Sequence, residues 1–338
     1  MGFVTRNGTQ LLLYGAPYRF IGINNYALAN ASFGNCCDGC GGGTVAAKLD
    51  SLLALGCNVV RFWAFQLFAG SAGTTKNFST FDTIFAACKA RGMKAIPVLE
   101  NVWADCTSGG YHNEAWYTTG YQSPYGSYGL SYIDYVEQMA TRYRDQDAIL
   151  MWQLINEMEI KVVENGGCGS ATTAINFVTD MANRIKTIDR NHLVSVGTIG
   201  SGQCGTSQTS TQYQNLHNLT NVDICEVHDL GISANMAGFY TTRLNDANAI
   251  TRPIFAGENG TNAVTGQARA DRVNTQLQQT MNAGYAGWLL WMYGGTGCGG
   301  FDSWCVADGD PTMTTLGSNT PRFNIRRDLG QCVTVDMP

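Results

Sequence analysis

Apolar runs of strand length alternate with segments of helical periodicity along most of the chain. Several of these runs are apolar throughout rather than at every second position, which is typical of strands buried on both faces. Eight runs are predicted to be β-strands, at residues 18–24, 58–63, 94–99, 149–155, 193–196, 222–227, 253–256 and 287–291.

The segments between these strands have apolar residues at the spacing of an amphipathic helix. The predicted helices are 44–55, 81–91, 131–144, 172–188, 234–248 and 269–283, and a shorter helix of a turn or two is predicted within 209–218. This alternation predicts parallel strands with right-handed crossovers. Eight such units favour an α/β fold of the closed (β/α)8 TIM-barrel type over an open doubly wound sheet.

The N-terminus has a different pattern. Residues 3–13 form two short strand-like runs around Asn7-Gly8, which predicts a β-hairpin. No charge run, proline-rich linker or change of composition divides the remainder. We therefore expect one domain over residues 1–338, opened by an N-terminal β-hairpin.

Composition restricts the partners. The chain of 338 residues has 21 basic and 26 acidic side chains, a net charge of −5. It lacks the basic runs that nucleic-acid binding requires, and no apolar stretch is long enough to span a membrane. A neutral substrate fits this surface better than a polyanion.

Most of the twelve cysteines lie in loops rich in glycine, serine and asparagine. This usage indicates disulfides and a secreted, extracellular protein, and we expect that Met1 restarts a mature domain whose export signal has been removed. Cys298 and Cys305 would close a short loop. Three cysteines in apolar segments are predicted to be buried free thiols: Cys57, Cys88 and Cys225.

A zinc site at Cys36, Cys37 and Cys40 is the competing interpretation of the cysteines. No second Cys/His cluster follows at the spacing of a zinc finger. We therefore predict no metal and no cofactor.

Polar residues follow the predicted strands at the end where a (β/α)8 barrel carries its chemistry. Each alone is most simply a solvated rim residue or an ion-pair partner, but together they would converge on one rim. They are Arg61, Asn156, Glu157, His228, Glu258 and Trp291.

Glu157 and Glu258 follow the fourth and seventh strands, at near-opposite positions across the barrel mouth. Two carboxyls suffice for glycoside hydrolysis, about 5–5.5 Å apart with retention of configuration and about 6.5–9.5 Å apart with inversion. Glu157, which ends an apolar strand beside tryptophan, suits the protonated role, and Arg61 would keep Glu258 ionised. Asn156 could bind the sugar 2-hydroxyl, and Trp291 could offer a flat face to the sugar ring.

Other residues of the same types have plainer interpretations. Glu100, Glu159 and Glu226 are expected to be bystanders, and Glu226 is expected to point outward. Trp63 and Trp103 could simply pack the core or the loops, and His228 could be a structural hydrogen-bonding residue.

The chain resembles glycoside hydrolase family 5 from Phe3 to about Tyr293. The resemblance rests on residues at the strand ends: Asn156-Glu157, Glu258, Arg61, His228 and Trp291. Within the family it is most similar to the endo-β-1,4-mannanases. That similarity rests on three segments: residues 19–26, with the text RFIGINNY; 59–65, with VVRFWAF; and 99–111, which carries Asn101-Val102-Trp103 and then Gly109-Gly110.

The resemblance implies a retaining endo-β-1,4-mannanase that acts by double displacement, with Glu157 as acid/base and Glu258 as nucleophile. Its partner would be a polysaccharide or oligosaccharide substrate, and we expect a monomer. It also implies that further residues bind substrate: Arg61, Asn156, His228, Trp291, Trp63, Trp103, Asn25 and Tyr293.

One family feature is missing. The family has His-x-Tyr after the sixth strand, with the phenol bonded to the nucleophile, whereas this chain reads His228-Asp229-Leu230. Tyr240 or Tyr293 could substitute for that phenol. Two other interpretations stay open: another β-glycosidase of the family (a cellulase, a β-glucanase or an exo-acting enzyme), and a carbohydrate-binding pseudoenzyme.

Overall fold

A computed structural model describes residues 1–29, 43–70, 73–231, 236–298 and 303–330. Its main sheet has eight strands, and every strand pair in it is parallel. The strands are β4 (Phe20–Asn24), β5 (Val59–Trp63), β6 (Lys94–Val98), β7 (Met151–Gln153), β8 (Leu193–Ser195), β9 (Cys225–Asp229), β10 (Ile254–Asn259) and β11 (Gly287–Leu290).

The order of the strands closes this sheet into a barrel. Seven neighbouring pairs run β8-β7-β6-β5-β4-β11-β10-β9. The two end strands meet through a parallel bridge between Ser195 and Ile224 and a hydrogen bond from the Asp223 backbone N–H to the Val194 carbonyl, 2.9 Å long. The predicted (β/α)8 barrel is confirmed, and each strand lies within two or three residues of its predicted bounds, β7 being the most shortened.

The helices connect successive strands around the outside. They are α1 (Val45–Ala54), α2 (Ser79–Arg91), α3 (Glu114–Thr118), α4 (Tyr132–Tyr143), α5 (Ala171–Ile188), α6 (Ser210–His217), α7 (Met236–Ala249), α8 (Gly266–Ala283) and α9 (Pro311–Asn319). Local chemistry sets their ends. The Ser131 hydroxyl accepts the Asp134 N–H at the start of α4, and Gly92, at a φ of 66°, ends α2 in the left-handed region that glycine favours.

The N-terminal strands cover the bottom of the barrel. β1 (Val4–Asn7) and β2 (Gln10–Leu13) form the predicted hairpin, and β3 (Ala16–Tyr18) adds a third antiparallel strand. Val4, Leu11 and Tyr18 pack with inward residues of the barrel strands in one apolar cluster. The lower half of the barrel is therefore a sealed core, and the polar residues of the strands are left for the upper half.

The C-terminal part contains elements that apolar periodicity did not predict. β12 (Tyr293–Gly295) pairs with β13 (Val306–Ala307), and α9 begins with Asp310 as its cap and Pro311 in its first turn. α9 packs on α8, but only two of its buried side chains, Met313 and Leu316, are apolar, which is too few to produce a helical pattern in the sequence.

The cysteines in the described ranges behave largely as predicted. Cys298 is bonded to Cys305, and a second disulfide joins Cys168 to Cys204. The predicted buried free thiols are also found: Cys57, Cys88 and Cys225. The proposed zinc ligands Cys36, Cys37 and Cys40 lie outside the described residues.

Within the part of the chain that the structure describes, no helix combines the length and the apolar character needed to cross a membrane.

Candidate active site

The six polar and aromatic strand-end residues predicted from the sequence come together at the upper mouth of the barrel. Glu157, four residues after β7 ends, is held at a φ of 53°, a left-handed conformation that is costly for a residue other than glycine. Its carbonyl accepts the Gln203 side-chain amide at 2.6 Å, and the next N–H, of Met158, donates to the Gly197 carbonyl at 2.9 Å. These bonds hold the glutamate in a conformation that directs its carboxyl into the mouth.

Arg61 on β5 is the buried hub of the site. Its guanidinium is fully buried and donates to Glu258 Oε1 at 2.6 Å. The remaining N–H groups donate to Asn156 Oδ1 at 2.6 Å, Gln153 Oε1 at 2.8 Å and Asn24 Oδ1 at 2.8 Å. One cation thus orients the Glu258 carboxylate and three amides, because guanidinium presents its donors in a fixed planar geometry.

The two strand-end glutamates face each other across a short gap. Glu157, His228 and Glu258 each place one ligand-type atom within 4.8 Å of the other two. Glu157 accepts the Trp103 indole N–H at 2.7 Å and lies 2.9 Å from His228 Nδ1. Glu258 Oε2 is 3.6 Å from the same nitrogen. This close approach favours a nucleophile and an acid/base acting on one sugar over the wider spacing of the inverting arrangement.

Glu226 is inside the barrel, so the expectation that it points outward was wrong. Its carboxyl is completely buried and lies 3.1 Å from His228 Nε2. Residues two apart on a strand share a face. Ile224, Glu226 and His228 therefore all point into the barrel, while Cys225 and Val227 pack outward against the helices.

The pKa values of this buried cluster depend on one another. Burial raises the pKa of Glu258 to about 7, helped by the charge of Glu157 and opposed by His228 and Arg61. Burial also acts to raise the pKa of Glu157, but hydrogen bonds from His228 and Trp103 and the two nearby positive charges lower it below its usual value. Burial lowers the pKa of His228, and its carboxylate neighbours more than offset this, raising it to about 10.

These directions are the reverse of the expectation that Glu157 carries the raised pKa and Glu258 the lowered one. The physical reason is the set of donors. Glu157 accepts from both His228 and Trp103, whereas Glu258 accepts a hydrogen bond from Arg61 alone among the described residues. The proton nearest to Glu157 is therefore held by His228.

Aromatic rings line one side of the mouth. Trp291, part-exposed, stacks on Tyr26 with ring centroids 5.5 Å apart and lies 5.8 Å from Trp63. Trp63 is almost fully buried and lies over the Arg61 guanidinium at 4.8 Å. Trp291 therefore presents its surface to the mouth, and Trp63 mainly packs beneath it.

The two remaining predicted binding residues differ in placement. Asn25 lies at the rim, its N–H bonded to the Arg61 carbonyl at 2.9 Å, and its buried side-chain NH2 has no hydrogen-bond partner in the described ranges. Tyr293 is turned away, because the chain leaves the barrel after Leu290 and pairs β12 with β13. Its hydroxyl donates to Asp308 at 2.6 Å.

Neither Tyr240 nor Tyr293 takes the place of the missing phenol. The Tyr240 hydroxyl bonds Asp229 and Asn259, and that of Tyr293 bonds Asp308. Neither contacts Glu258. A cavity of about 300 Å³ instead opens where Leu230 stands, bounded also by Glu157, Ile199, Ser201, His228, Asp229 and Phe239.

Glu100 and Glu159 are engaged elsewhere. Glu100 is fully buried and bonded to the Tyr125 hydroxyl and to the Asn101 N–H. Glu159 accepts the Tyr111 hydroxyl at 2.9 Å and pairs with Lys161 at 3.0 Å. Neither carboxyl makes a contact with Glu157 or Glu258, as expected of bystanders.

Sequence reasoning overlooked the polar layer beneath the two glutamates. Asn24, Gln153 and Ser195 are buried, and each bonds either Arg61 or Glu226. A signal was present, because each is the last residue of a short apolar strand and points inward by the two-residue period.

The convergence of Glu157, His228 and Glu258 could in principle bind a cation. The contacts argue against it. The Arg61 guanidinium already lies 2.6 Å from Glu258, and His228 Nδ1 is bonded to Glu157. A cation would have to displace both of these interactions and lie beside a fixed positive charge.

Comparison with known families and proteins agrees with this geometry. The family model described as Cellulase (glycosyl hydrolase family 5) matches residues 21–297. That span contains all eight barrel strands except the first residue of β4, together with every residue of the mouth.

Two relatives illustrate the sequence similarity. Mannan endo-1,4-beta-mannosidase F of Aspergillus fumigatus is 27% identical over 340 residues, covering 87% of this chain and 71% of the relative. Mannan endo-1,4-beta-mannosidase A of Podospora anserina is 25% identical over 233 residues, covering 62% of this chain and 57% of the relative.

Solved structures share the fold. The endo-1,4-beta-mannanase from Rhizomucor miehei superposes with a TM-score of 0.74 at 20% identity, over 96% of this chain and 99% of that one. The endo-beta-1,4-mannanase from Thermotoga petrophila gives 0.73 at 22% identity, over 93% and 78%.

Proposed function

The chain belongs to glycosyl hydrolase family 5, and on that premise we propose that it is a retaining endo-β-1,4-mannanase whose nucleophile is Glu258 and whose acid/base is Glu157. The observation that carries the proposal is the approach of these two carboxyls within 4.8 Å at the C-terminal mouth of the barrel. The names of the relatives supply the substrate, mannan.

In the first step the Glu258 carboxylate attacks the anomeric carbon, and the glycosidic oxygen takes a proton from Glu157 as the bond to it breaks. Arg61, 2.6 Å from Glu258, orients the attacking carboxylate and favours its ionised form. Asn156, fixed by Arg61 and by a 3.1 Å bond to Asn101, is placed to bind the sugar 2-hydroxyl. That interaction strengthens as the oxocarbenium-like transition state forms.

In the second step Glu157 takes a proton from water, and the resulting hydroxide attacks the glycosyl-enzyme from the face that the leaving group vacated. Two inversions give net retention. The part-exposed face of Trp291 packs against the sugar ring, and the cavity beside Leu230 and Phe239 holds the next sugar on the Glu157 side.

The same proposal covers the setting of the enzyme. Disulfides persist in oxidising compartments, and the pairs Cys168–Cys204 and Cys298–Cys305 therefore support secretion. A net charge of −5 suits a neutral polysaccharide. We propose a monomer with one catalytic domain over residues 1–338 and no cofactor, since two carboxyls suffice for the reaction.

The test is the release of reducing ends from mannan, cellulose and β-1,3-glucan, measured in parallel with the same enzyme preparation. Mannan should be the preferred substrate, with a mixture of oligosaccharides as early products. Preference for cellulose or β-1,3-glucan would overturn the substrate, and release of monosaccharide alone would overturn internal cleavage. Binding without turnover of any glycan would indicate a pseudoenzyme.

A further inference from the structure

Glu226 is a buried carboxylate that the two-step reaction does not use. It lies on β9, two residues before His228, in the polar layer below the catalytic pair, and it is fully buried. A buried charge is costly unless it is paired and hydrogen-bonded. Its contacts therefore indicate what this charge does for the site.

The hydrogen-bond directions around Glu226 are fixed by Arg61. The Arg61 Nε–H can only donate, so Gln153 must turn its amide oxygen towards it, at 2.8 Å. The Gln153 NH2 then donates to Glu226 Oε2, and the Ser195 hydroxyl donates to the same oxygen at 2.9 Å. Glu226 is thus an acceptor on this side, as an ionised carboxylate is.

The other oxygen of Glu226 faces His228 Nε2 at 3.1 Å, and with Glu226 ionised that nitrogen must carry the proton that the two atoms share. The second ring nitrogen, Nδ1, lies 2.9 Å from Glu157 and 3.6 Å from Glu258. Asp229, next on the strand, is turned away towards the Tyr240 hydroxyl. His228 is therefore contacted by three carboxylates, and Arg61 reaches it only through Glu258.

We propose that Glu226 is a positioning residue, which keeps His228 an imidazolium and aims its Nδ1 proton at Glu157, so that His228 stores the proton that Glu157 delivers to the leaving group. The proposal rests on the function proposed above only for the role of Glu157. The raised pKa of His228, about 10, and the lowered pKa of Glu226 agree with this geometry.

The proton balance is simple. One proton moves from His228 Nδ1 to Glu157 Oε1, which leaves neutral imidazole, and Glu157 passes a proton to the glycosidic oxygen. In the second step Glu157 takes a proton from water and returns one to Nδ1. Glu226 gains and loses nothing, and its fixed negative charge favours the imidazolium before and after each turnover.

The direct test is ¹⁵N NMR of the protein labelled at histidine, titrated without substrate. The chain has only four histidines, which makes assignment by single substitution practical. His228 should show two protonated ring nitrogens through pH 8. His217, whose pKa burial lowers to about 4, should be neutral throughout and serve as the internal reference. A neutral His228 at pH 7 would overturn the proposal, whether or not the enzyme acts on mannan.

The variant Glu226→Gln makes a sharper prediction. Gln153 and Ser195 still donate to this position, so the new amide must turn its oxygen to them and its NH2 to His228 Nε2. That nitrogen would then have to accept, and His228 would become neutral with its proton on Nδ1. We expect kcat to fall about 10- to 100-fold with KM little changed, and the alkaline limb of kcat to move down by at least about one pH unit.

Glu100→Gln is the matched control, since Glu100 is also fully buried beyond the end of a barrel strand, β6, but bonds Tyr125 and Asn101 instead. It should lower the melting temperature without moving the alkaline limb or the His228 resonances. Glu226→Asp, which keeps the charge, should keep His228 protonated. A Glu226→Gln enzyme with the wild-type pH profile would overturn the proposal. If that variant does not fold, the titration of the wild-type protein decides.

Discussion

Arg61 Nη1 lies 2.6 Å from Glu258 Oε1, and both side chains are buried at the centre of the barrel mouth. The pair joins β5 to β10, and the same guanidinium also donates to the surrounding amides of Asn24, Gln153 and Asn156. Breaking a buried ion pair by removing one partner leaves an uncompensated charge, which is strongly destabilising. The same ion pair therefore contributes to the stability of the barrel and to the orientation of the Glu258 carboxylate.

We expect Arg61→Met to lower the free energy of unfolding by about 3–5 kcal/mol above pH 7, where Glu258 would be left ionised without its partner. The loss should be smaller at pH 5, because Glu258, whose pKa is already raised to about 7, then takes up a proton. Urea unfolding at the two pH values measures both. Arg91→Met removes a surface pair with Asp50, and its cost should be far smaller than that of Arg61→Met. Equal losses in the two variants would contradict the account.

Chemical rescue separates the roles of the two glutamates. Glu157→Ala should nearly abolish turnover, and azide should restore part of it, because azide can enter the space of the missing acid/base and attack the glycosyl-enzyme. The product would be a β-mannosyl azide, with retained configuration. Glu258→Ala forms no glycosyl-enzyme, so azide should not rescue it to the retained product. The opposite pattern would mean that the roles are exchanged. The measurement is product analysis by NMR on an aryl β-mannobioside.

The acid limb of the pH profile should depend on Glu157. A nucleophile must be ionised, so a pKa of about 7 at Glu258 means that activity is lost as the pH falls through that value. The negative charge of Glu157 contributes to this raised pKa. Glu157→Gln should therefore move the acid limb of kcat/KM to lower pH. The measurement uses a substrate whose leaving group is acidic enough to depart without receiving a proton. An acid limb that stays in place, or rises, would exclude this coupling.

The sequence was sufficient to predict the barrel and the mouth because both follow short-range rules. Apolar runs predicted each strand, and a parallel barrel places every strand end at one rim, so Arg61, Glu157 and Glu258 followed. The buried polar layer below the mouth, which contains Glu226, was harder to predict. Glu226 was judged by its adjacency to His228, although the two-residue period of a strand puts both on one face.

The charge states could not be predicted from sequence for a different reason. They depend on which donors reach each carboxyl, and Trp103 and His228 come from different loops and strands to meet at Glu157. Tyr293 was misjudged because its position follows the end of β11, where the direction of the chain no longer obeys the strand pattern.

The disulfide between Cys168 and Cys204 should support the site as well as the fold. It closes a loop of 36 residues, and Gln203, next to Cys204, bonds the Glu157 carbonyl. We expect Cys168→Ser/Cys204→Ser to lower the free energy of unfolding by about 2–4 kcal/mol and to lower kcat. The Cys298–Cys305 disulfide closes a loop of only 7 residues, so Cys298→Ser/Cys305→Ser should lower the free energy of unfolding by less. Thermal unfolding and kcat on mannan measure both pairs, and the reverse order would contradict this expectation.

The stereochemistry of mannan cleavage tests the central claim most directly. Proton NMR of a β-1,4-manno-oligosaccharide, recorded within minutes of adding a large amount of enzyme, distinguishes the anomer released from the one formed by mutarotation. Carboxyl oxygens within 4.8 Å of each other predict that the β-anomer appears first and the α-anomer follows slowly. Initial release of the α-anomer would contradict the account, and so would the absence of cleavage.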